Sequence, residues 1–340
     1  MSSPYEKVPR IPRYNEIVLK ITRRYRKLLE GTRGKIKGAK KARSLEIRKL
    51  NLVYDIVTSE IRKIVYGLPF VDRVHPFYRD LLDVIIGYKD YKDAVTRLAR
   101  ALKLIEKIYR EHLELVKTAP TLREARRYRR SGVGRIMSIL KRNRKYIDFL
   151  AENMPKLKKI PSIDPEKPTI IVAGMPQVGK STLVKKISTA SPEIAPYPFT
   201  TKNLVLGHIK IDDYLVIQAI DTPGLLDRPL EDRNPIELQA VMALKHLKGI
   251  IIYLFDVSRN CYYSVEEQIR VFEDILRRFN KPVIVALNKV DDVDLEKLKS
   301  IVGYLEEKSV GPIFTISAAK GQGIDKLLEY VIEILKKKLE

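Results

Sequence analysis

Three short stretches of this chain carry residue types suited to holding a nucleoside triphosphate. The first is GMPQVGKST, residues 174 to 182, whose spacing fits G-x-x-x-x-G-K-[ST]. Gly174 and Gly179 let the chain curl so that main-chain N–H groups converge on an anion. A helix starting just after them adds the positive end of its dipole. Met175, Pro176, Gln177 and Val178 form the turn of that loop, and Thr182 completes it. Lys180 is a point charge for the β- and γ-phosphates, and the Ser181 hydroxyl is placed to ligate Mg2+.

The second stretch is DTPGLL, residues 221 to 226. Asp221 closes an apolar run, and a carboxylate there can hold Mg2+ through water. The Gly224 N–H can bond the γ-phosphate and swing when that phosphate leaves. The third is NKVD, residues 288 to 291. Asp291 offers two acceptor oxygens to adjacent donors on guanine, the ring N1–H and the exocyclic N2–H2. Adenine lacks that pair and would leave a buried acid unpaired. Asn288 would hold the loops together, and the stem of Lys289 would cover the base. SAAKGQG, residues 317 to 323, would supply the other base-side loop through Ser317, Ala318 and Ala319, with the Ala318 N–H as donor to the guanine carbonyl. The ligands implied are GTP or GDP with Mg2+.

Small signalling GTPases place glutamine after the D-x-x-G glycine to orient the attacking water. Leu225 stands there instead, and an apolar side chain cannot position water. Leu225 and Leu226 either anchor the switch in an apolar pocket or are core residues at the start of a loop. Both readings imply slow hydrolysis unless another group helps. Lys180, Gly224 and Gln177 are the candidates from these motifs for the hydrolytic step.

Elements that could position these residues are legible around them. TIIVAG (169–174), NLVLGHIKI (203–211), YLVIQAI (214–220), GIIIYLF (249–255), PVIVALN (282–288) and PIFTIS (312–317) read as six strands. Helical patterns follow most of them, such as SVEEQIRVFEDILRRF. Asp212 and Asp213 make a tight turn, so the second and third strands form a hairpin. The rest alternate with helices, predicting a mostly parallel sheet over 169–340 covered on both faces. Prolines at 155, 161, 165 and 168 mark a linker over 154–168. Residues 1–153 read as an antiparallel helical bundle of about four helices. These cover roughly 14–30 and 44–67, with Ser44 as N-cap and Gly67 just past the end, and a long helix with His112 on its apolar face. A further helix opens on the capping-box pair Thr121 and Glu124, and SGVG (131–134) should bend or interrupt it.

The charge is one-sided. Residues 1–160 hold 41 Lys and Arg against 17 Asp and Glu, whereas the remainder hold 24 against 25. Such asymmetry suggests a polyanionic partner for the first half. Within 121–145, ten basic residues stand against one acid. They are Arg123, Arg126, Arg127, Arg129, Arg130, Arg135, Lys141, Arg142, Arg144 and Lys145. A second cluster contains Arg33, Lys35, Lys37, Lys40 and Lys41 in a glycine-broken segment. These are either solvated helix faces or RNA-binding surfaces; the excess charge favours RNA, bound through shape and phosphates. Anionic lipid is the competing partner, although the basic stretches lack an apolar aromatic face. A basic scaffold that holds GTP without cutting it is a third reading, and the intact Lys180, Ser181, Thr201 and Asp221 set argues against it. No apolar run reaches the roughly 18–20 residues of a membrane span, no signal peptide is visible, and the single cysteine, Cys261, allows no internal disulfide. A cytoplasmic protein is expected, monomeric when free and without DNA as a partner.

The order GMPQVGKST, YPFTT, DTPG, NKVD and SAAK resembles a TRAFAC-class GTPase of the Obg-like kind. YPFTT (197–201) is the narrower signature. The resemblance implies that Thr201 binds Mg2+ through its hydroxyl and senses the γ-phosphate, which adds it to the catalytic candidates. With the basic helical half, including RRYRRSGVGRIMSILKR (126–142), the whole chain is similar to the Nog1 subfamily, the nucleolar GTP-binding proteins. That similarity implies a Ras-like P-loop GTPase domain after the bundle, and large-subunit rRNA and pre-ribosomal particles as partners. Eukaryotic members carry a long C-terminal extension, so the chain is expected to match the short archaeal form. Many relatives have Asn where Gln177 stands, and some use it to help bind K+. Gln177 departs from that pattern by one methylene, which counts against potassium dependence.

Overall fold

The computed structural model describes residues 3–32, 38–197, 203–213, 215–221 and 226–337. Tyr14–Thr32 (α1), Ala39–Gly67 (α2), Pro76–Ile86 (α3), Tyr88–Thr118 (α4), Leu122–Arg142 (α5) and Arg144–Leu157 (α6) come first. Strands and helices then alternate: Thr169–Ala173 (β1), Lys180–Ile187 (α7), Glu193–Ala195 (β2), Leu204–Lys210 (β3), Val216–Asp221 (β4), Pro235–Met242 (α8) and Gly249–Asp256 (β5). Val265–Arg278 (α9), Val283–Asn288 (β6), Leu295–Glu307 (α10), Ile313–Thr315 (β7) and Ile324–Lys337 (α11) complete the chain. It divides into two compact units, one of Pro4–Val74 with Ile85–Lys158 and one of His75–Val84 with the chain from Lys159 onward.

In the helical unit, long amphipathic helices bury one stripe each, and short connections make neighbours antiparallel. Three residues separate α4 from α5. Along α2 and α4, Arg43 donates to the carbonyl of Ala119 at 2.7 Å, while Tyr54 stacks on Tyr109 with ring centres 3.7 Å apart. The Arg43 guanidinium thereby satisfies carbonyls at the C-terminus of α4, where a cation is favoured. The expected Thr121 and Glu124 capping box opens α5.

Three expectations about helix ends are corrected. α2 does not start at Ser44 but at Ala39, with Gly38 before it; the intervening Lys, Ala and Arg residues favour helix and nothing breaks it. Gly67 is the last residue of α2 rather than the one beyond it. α6 continues through Pro155 to Leu157, because in a final turn the missing N–H costs only one bond.

The SGVG segment neither bends nor interrupts α5. Gly132 is buried, and a Cβ there would stand 2.8 Å from the Cβ of His112. The glycine is present so that α4 and α5 can approach, not so that the chain can turn.

Among the described residues the sheet unit holds seven strands in the order β2-β3-β4-β1-β5-β6-β7, one more than expected. β2 is the addition, a three-residue strand antiparallel to β3 and too short to show an alternation. β3 and β4 form the expected antiparallel hairpin, and β1, β4, β5, β6 and β7 are parallel. All five residues of β1 are buried, as a central strand covered on both faces requires.

Residues 159–168 are pinned against this sheet. The Gln218 side chain of β4 accepts from Asp164 N at 2.9 Å and donates to Asp164 O at 2.8 Å. Tyr78 of α3 donates to Ile163 O at 2.6 Å. This division differs from the expected boundaries, since residues 75–84 belong with the sheet. None of the helices among the described residues is long and apolar enough to cross a membrane.

Candidate functional site

The loop after β1 takes its shape from its glycines. Gly174 has φ 135°, and a Cβ on it would stand 2.5 Å from the carbonyl oxygen of Leu254 in β5. Gln177 also sits at positive φ, 62°, and Gly179 at 100° immediately before α7. Val178 and Met175 are buried and anchor the loop to the core. The Lys180 ammonium is buried and donates to the carbonyls of Gly174 and Met175, each at 2.8 Å, which places it at the centre of the loop. Pro176, Gln177, Gly179, Lys180, Ser181 and Thr182 line a cavity of about 390 Å3, together with Asn203, Val205 and Asp227.

Register explains the next contact. Val172 of β1 pairs with Asp221 at the end of β4, so this fully buried carboxylate lies beside the loop, where it accepts a hydrogen bond from the Ser181 hydroxyl. A hydroxyl and a carboxylate meeting at the phosphate end are hard oxygen donors of the kind Mg2+ prefers, so these residues fit that ion. Thr201, Gly224 and Leu225 lie outside the described residues. Leu226 is fully buried, and its carbonyl accepts from Gly174 N at 3.0 Å. The second leucine of DTPGLL is therefore a core residue that ties the chain after Asp221 to the first glycine of the phosphate loop.

At the other end of the site, Asn288 is 1% exposed and joins two loops. Its Nδ2 donates to Val178 O at 2.7 Å, and its Oδ1 accepts from Ala318 N at 2.9 Å. This corrects one expectation: the Ala318 N–H is directed to Asn288 rather than to a base, and the N–H of Ala319 is the next along the loop. Lys289 adopts φ 67° and its ammonium pairs with Asp256 at 2.5 Å, at the end of β5. Asp291 is exposed rather than buried as expected, and lies next to Ser317 and Lys320. A hydrogen bond with Ser317, then the nearby Lys320 at 3.5 Å, hold its carboxyl below the usual carboxylate range. It is therefore a charged acceptor at neutral pH.

The basic residues of α5 separate into two sets. Arg123, Arg126, Arg127 and Arg130 are exposed and line a cleft of about 570 Å3 with Leu122 and Glu124. Arg129 is not on that face: its guanidinium is turned inward, 2.8 Å from the buried carboxylate of Glu46, which Lys49 also holds at 2.7 Å. It is removed from the RNA-facing candidates, because turning it outward would break one of the two ion pairs that hold the buried Glu46 carboxylate. Arg135, Lys141, Arg142, Arg144 and Lys145 are exposed. Arg144 pairs with Asp148 at 3.1 Å and lies over the Tyr14 ring. Lys40 and Lys41 are exposed at the start of α2, and Arg33, Lys35 and Lys37 lie outside the described residues.

Residues the motifs did not mark also belong to the site. Asp227 and Asn203 line the phosphate cavity, and Asp256 sets the position of Lys289. The acid at 227 is visible beside DTPG, but nothing in its spacing announces that the chain folds back against the loop.

A sequence model described as the NOG1 N-terminal helical domain matches residues 5–164, and one described as nucleolar GTP-binding protein 1 (NOG1) matches 235–291. An uncharacterized protein of Methanocaldococcus jannaschii is 38% identical over 88% of this chain and 84% of its own length. Nucleolar GTP-binding protein 1 of Drosophila melanogaster is 36% identical over 86% of this chain and 46% of its own length, and that of Saccharomyces cerevisiae 34% over 88% and 46%. The chain thus spans about half the length of these eukaryotic relatives. A crystal structure of a Plasmodium falciparum nucleolar GTP-binding protein 1 is 34% identical, covering 53% of this chain and 92% of that one, with a TM-score of 0.46.

Proposed function

The chain belongs to the nucleolar GTP-binding protein 1 family, and from that premise we propose that it hydrolyses GTP and assists assembly of the large ribosomal subunit. The observation that carries the reading is the double bridge of Asn288, from Val178 of the phosphate loop to Ala318 of the base-side loop. One buried amide thereby sets the distance between the pocket for the phosphates and the pocket for the base. Lys180 and the main-chain amides of 174–182 hold the phosphates. Asp291 selects guanine, with Ser317 and Ala319 beside it. Ser181, Thr201 and Asp221 hold Mg2+, which neutralises charge on the phosphates when bound. Thr201 and Gly224 are the two points that read the γ-phosphate.

The exposed arginines of α5 and the lysines at the start of α2 bind phosphates of ribosomal RNA. Their excess over acids supports this partner, because a helix face without compensating acids repels itself in the absence of a polyanion. With an apolar residue at position 225, hydrolysis is slow until a partner completes the site.

The test is single-turnover GTP hydrolysis by the purified chain, alone and with large ribosomal subunits. The reading requires a measurable rate alone and acceleration of tenfold or more on addition of subunits, the kind of gain that a supplied group gives. Equal rates count against the ribosomal part; no hydrolysis in either case counts against the enzyme.

A further inference from the structure

With leucine after the D-x-x-G glycine, the water-orienting role must fall elsewhere, and one carboxylate on the cavity wall meets the requirements. Asp227 lines the same cavity as Lys180, Ser181 and Thr182. Those neighbours mark the phosphate end; Asn288, Asp291 and Ser317 of the base end do not line it. Two attachments place the carboxylate. On its N-terminal side, Leu226 is fully buried and bonded through its carbonyl to Gly174 N at 3.0 Å. On the other side, the Arg233 guanidinium, 1% exposed, stands 3.3 Å from Asp227 Oδ1. The side chain is thus aimed by a buried cation and tethered to the phosphate loop through its neighbour.

A carboxylate there cannot serve to grip the γ-phosphate, since both are anions and both only accept hydrogen bonds. A water molecule suits both: its proton points to the carboxylate and its lone pair to phosphorus. Resting on the GTPase reading, we infer that Asp227, oriented by Arg233, positions the attacking water for hydrolysis of the γ-phosphate. In that step the bond from the water oxygen to phosphorus forms as the bond from phosphorus to the β–γ bridging oxygen breaks. The bonding pair leaves with GDP, and the water's proton ends on the released phosphate. Asp227 directs that proton without keeping it.

The experiment uses the full chain with Asp227→Asn, Asp227→Ala and Asp227→Glu. A fluorescent non-hydrolysable GTP analogue gives ground-state affinity, GDP with aluminium fluoride gives affinity for a transition-state mimic, and quench-flow gives the single-turnover rate. An interaction made only in the transition state lowers the rate and not the affinity. Asp227→Ala is therefore expected to bind the analogue within about twofold of the native chain. Its turnover should fall by about a hundredfold, the low end for loss of a group that directs a proton, with a matching loss of affinity for GDP–aluminium fluoride. Asp227→Asn retains an acceptor but not the charge and should fall between, and Asp227→Glu should recover part of the rate.

An unchanged rate in Asp227→Ala overturns the inference. So does a rate that falls only in step with analogue affinity. A raised Mg2+ requirement for analogue binding, with turnover restored at high Mg2+, also overturns it, because Asp227 would then be supporting the metal. If the native chain binds no guanine nucleotide, the GTPase reading itself fails; if it binds and hydrolyses GTP while the variants match it, only this inference fails.

Discussion

Asn288 donates from Nδ2 to the carbonyl of Val178 at 2.7 Å, and the same amide fills the space that a Cβ on Gly179 would need. The phosphate loop and the base-side strand end are thus in contact at a point where only a hydrogen fits. Gly179 is also at φ 100°, so alanine there carries about 1–2 kcal/mol of backbone strain besides the overlap. Gly179→Ala is expected to lower GTP affinity by more than tenfold in calorimetry while the chain keeps its helical circular dichroism. Native affinity in that variant would mean that the loop and Asn288 are not coupled.

The two glycines within α5 have opposite roles, and substitution separates them. A Cβ on Gly132 meets the His112 side chain at 2.8 to 3.0 Å, whereas one on Gly134 meets nothing within 4 Å. Gly132→Ala should destabilise the helical unit by about 1–3 kcal/mol through overpacking. Gly134→Ala should stabilise it by about 0.5–1 kcal/mol, the cost of glycine inside a helix. Urea unfolding of the two variants checks the signs.

Glu46 makes the helical unit acid-sensitive. Burial pushes its carboxyl up, but hydrogen bonds from Lys49 and Arg129 outweigh burial and hold it below the usual range. A depressed folded-state value contributes stability that is complete above the unfolded-state value and is lost as pH falls through the folded one. Glu46→Gln should therefore cost about 3 kcal/mol at pH 7, the scale of a broken buried pair. The gap between native and variant in unfolding midpoints should close on acidification below the ordinary carboxylate range. A gap independent of pH would show that the ion pair is not its source.

The inward turn of Arg129 predicts a split among the arginines of α5. Replacing Arg126 and Arg130 with alanine should leave the unfolding midpoint unchanged. It should also weaken ribosomal RNA binding and reduce the slope of log affinity against log salt by about 1.5–2, somewhat under one per lost phosphate contact. Arg129→Ala should instead lower the unfolding midpoint, because it leaves the buried Glu46 carboxylate with Lys49 as its one remaining cation. Filter binding across a salt series, paired with denaturation, separates the two.

Reading the chain from its residues worked where one local rule governs. The phosphate loop needed only its glycines, lysine and serine between a strand and a helix. The Thr121 capping box needed only a pair three residues apart. It failed where a distant partner decided the outcome. Gly132 looks like a break in the sequence and is a contact, because His112 lies twenty residues away. Ser44 looks like a cap but lies within α2, because the residues before it are as good at forming helix as those after. HPFYRDLLDVII (75–86) is a short helix whose sequence does not say which unit it joins, and its attachment through Tyr78 to the carbonyls of Pro161 and Ile163 exists only in three dimensions. Ala318 followed a positional rule that did not include Asn288 as a competitor for its N–H. Asp227 stood in plain view beside DTPG, and only the Leu226 to Gly174 bond shows why it lines the cavity at the glycine loop.

The central claim is that a curled loop with a lysine holds a triphosphate while Asp291 selects guanine. Isothermal titration of the full chain with GDP, GTP, ADP and ATP in Mg2+ tests it most directly. The account predicts binding of both guanine nucleotides and at least a hundredfold weaker binding of both adenine nucleotides, as expected where a site built to pair with a ligand's N–H donors meets an analogue that lacks them. Equal affinity for adenine and guanine nucleotides, or no heat with any of the four, would contradict it.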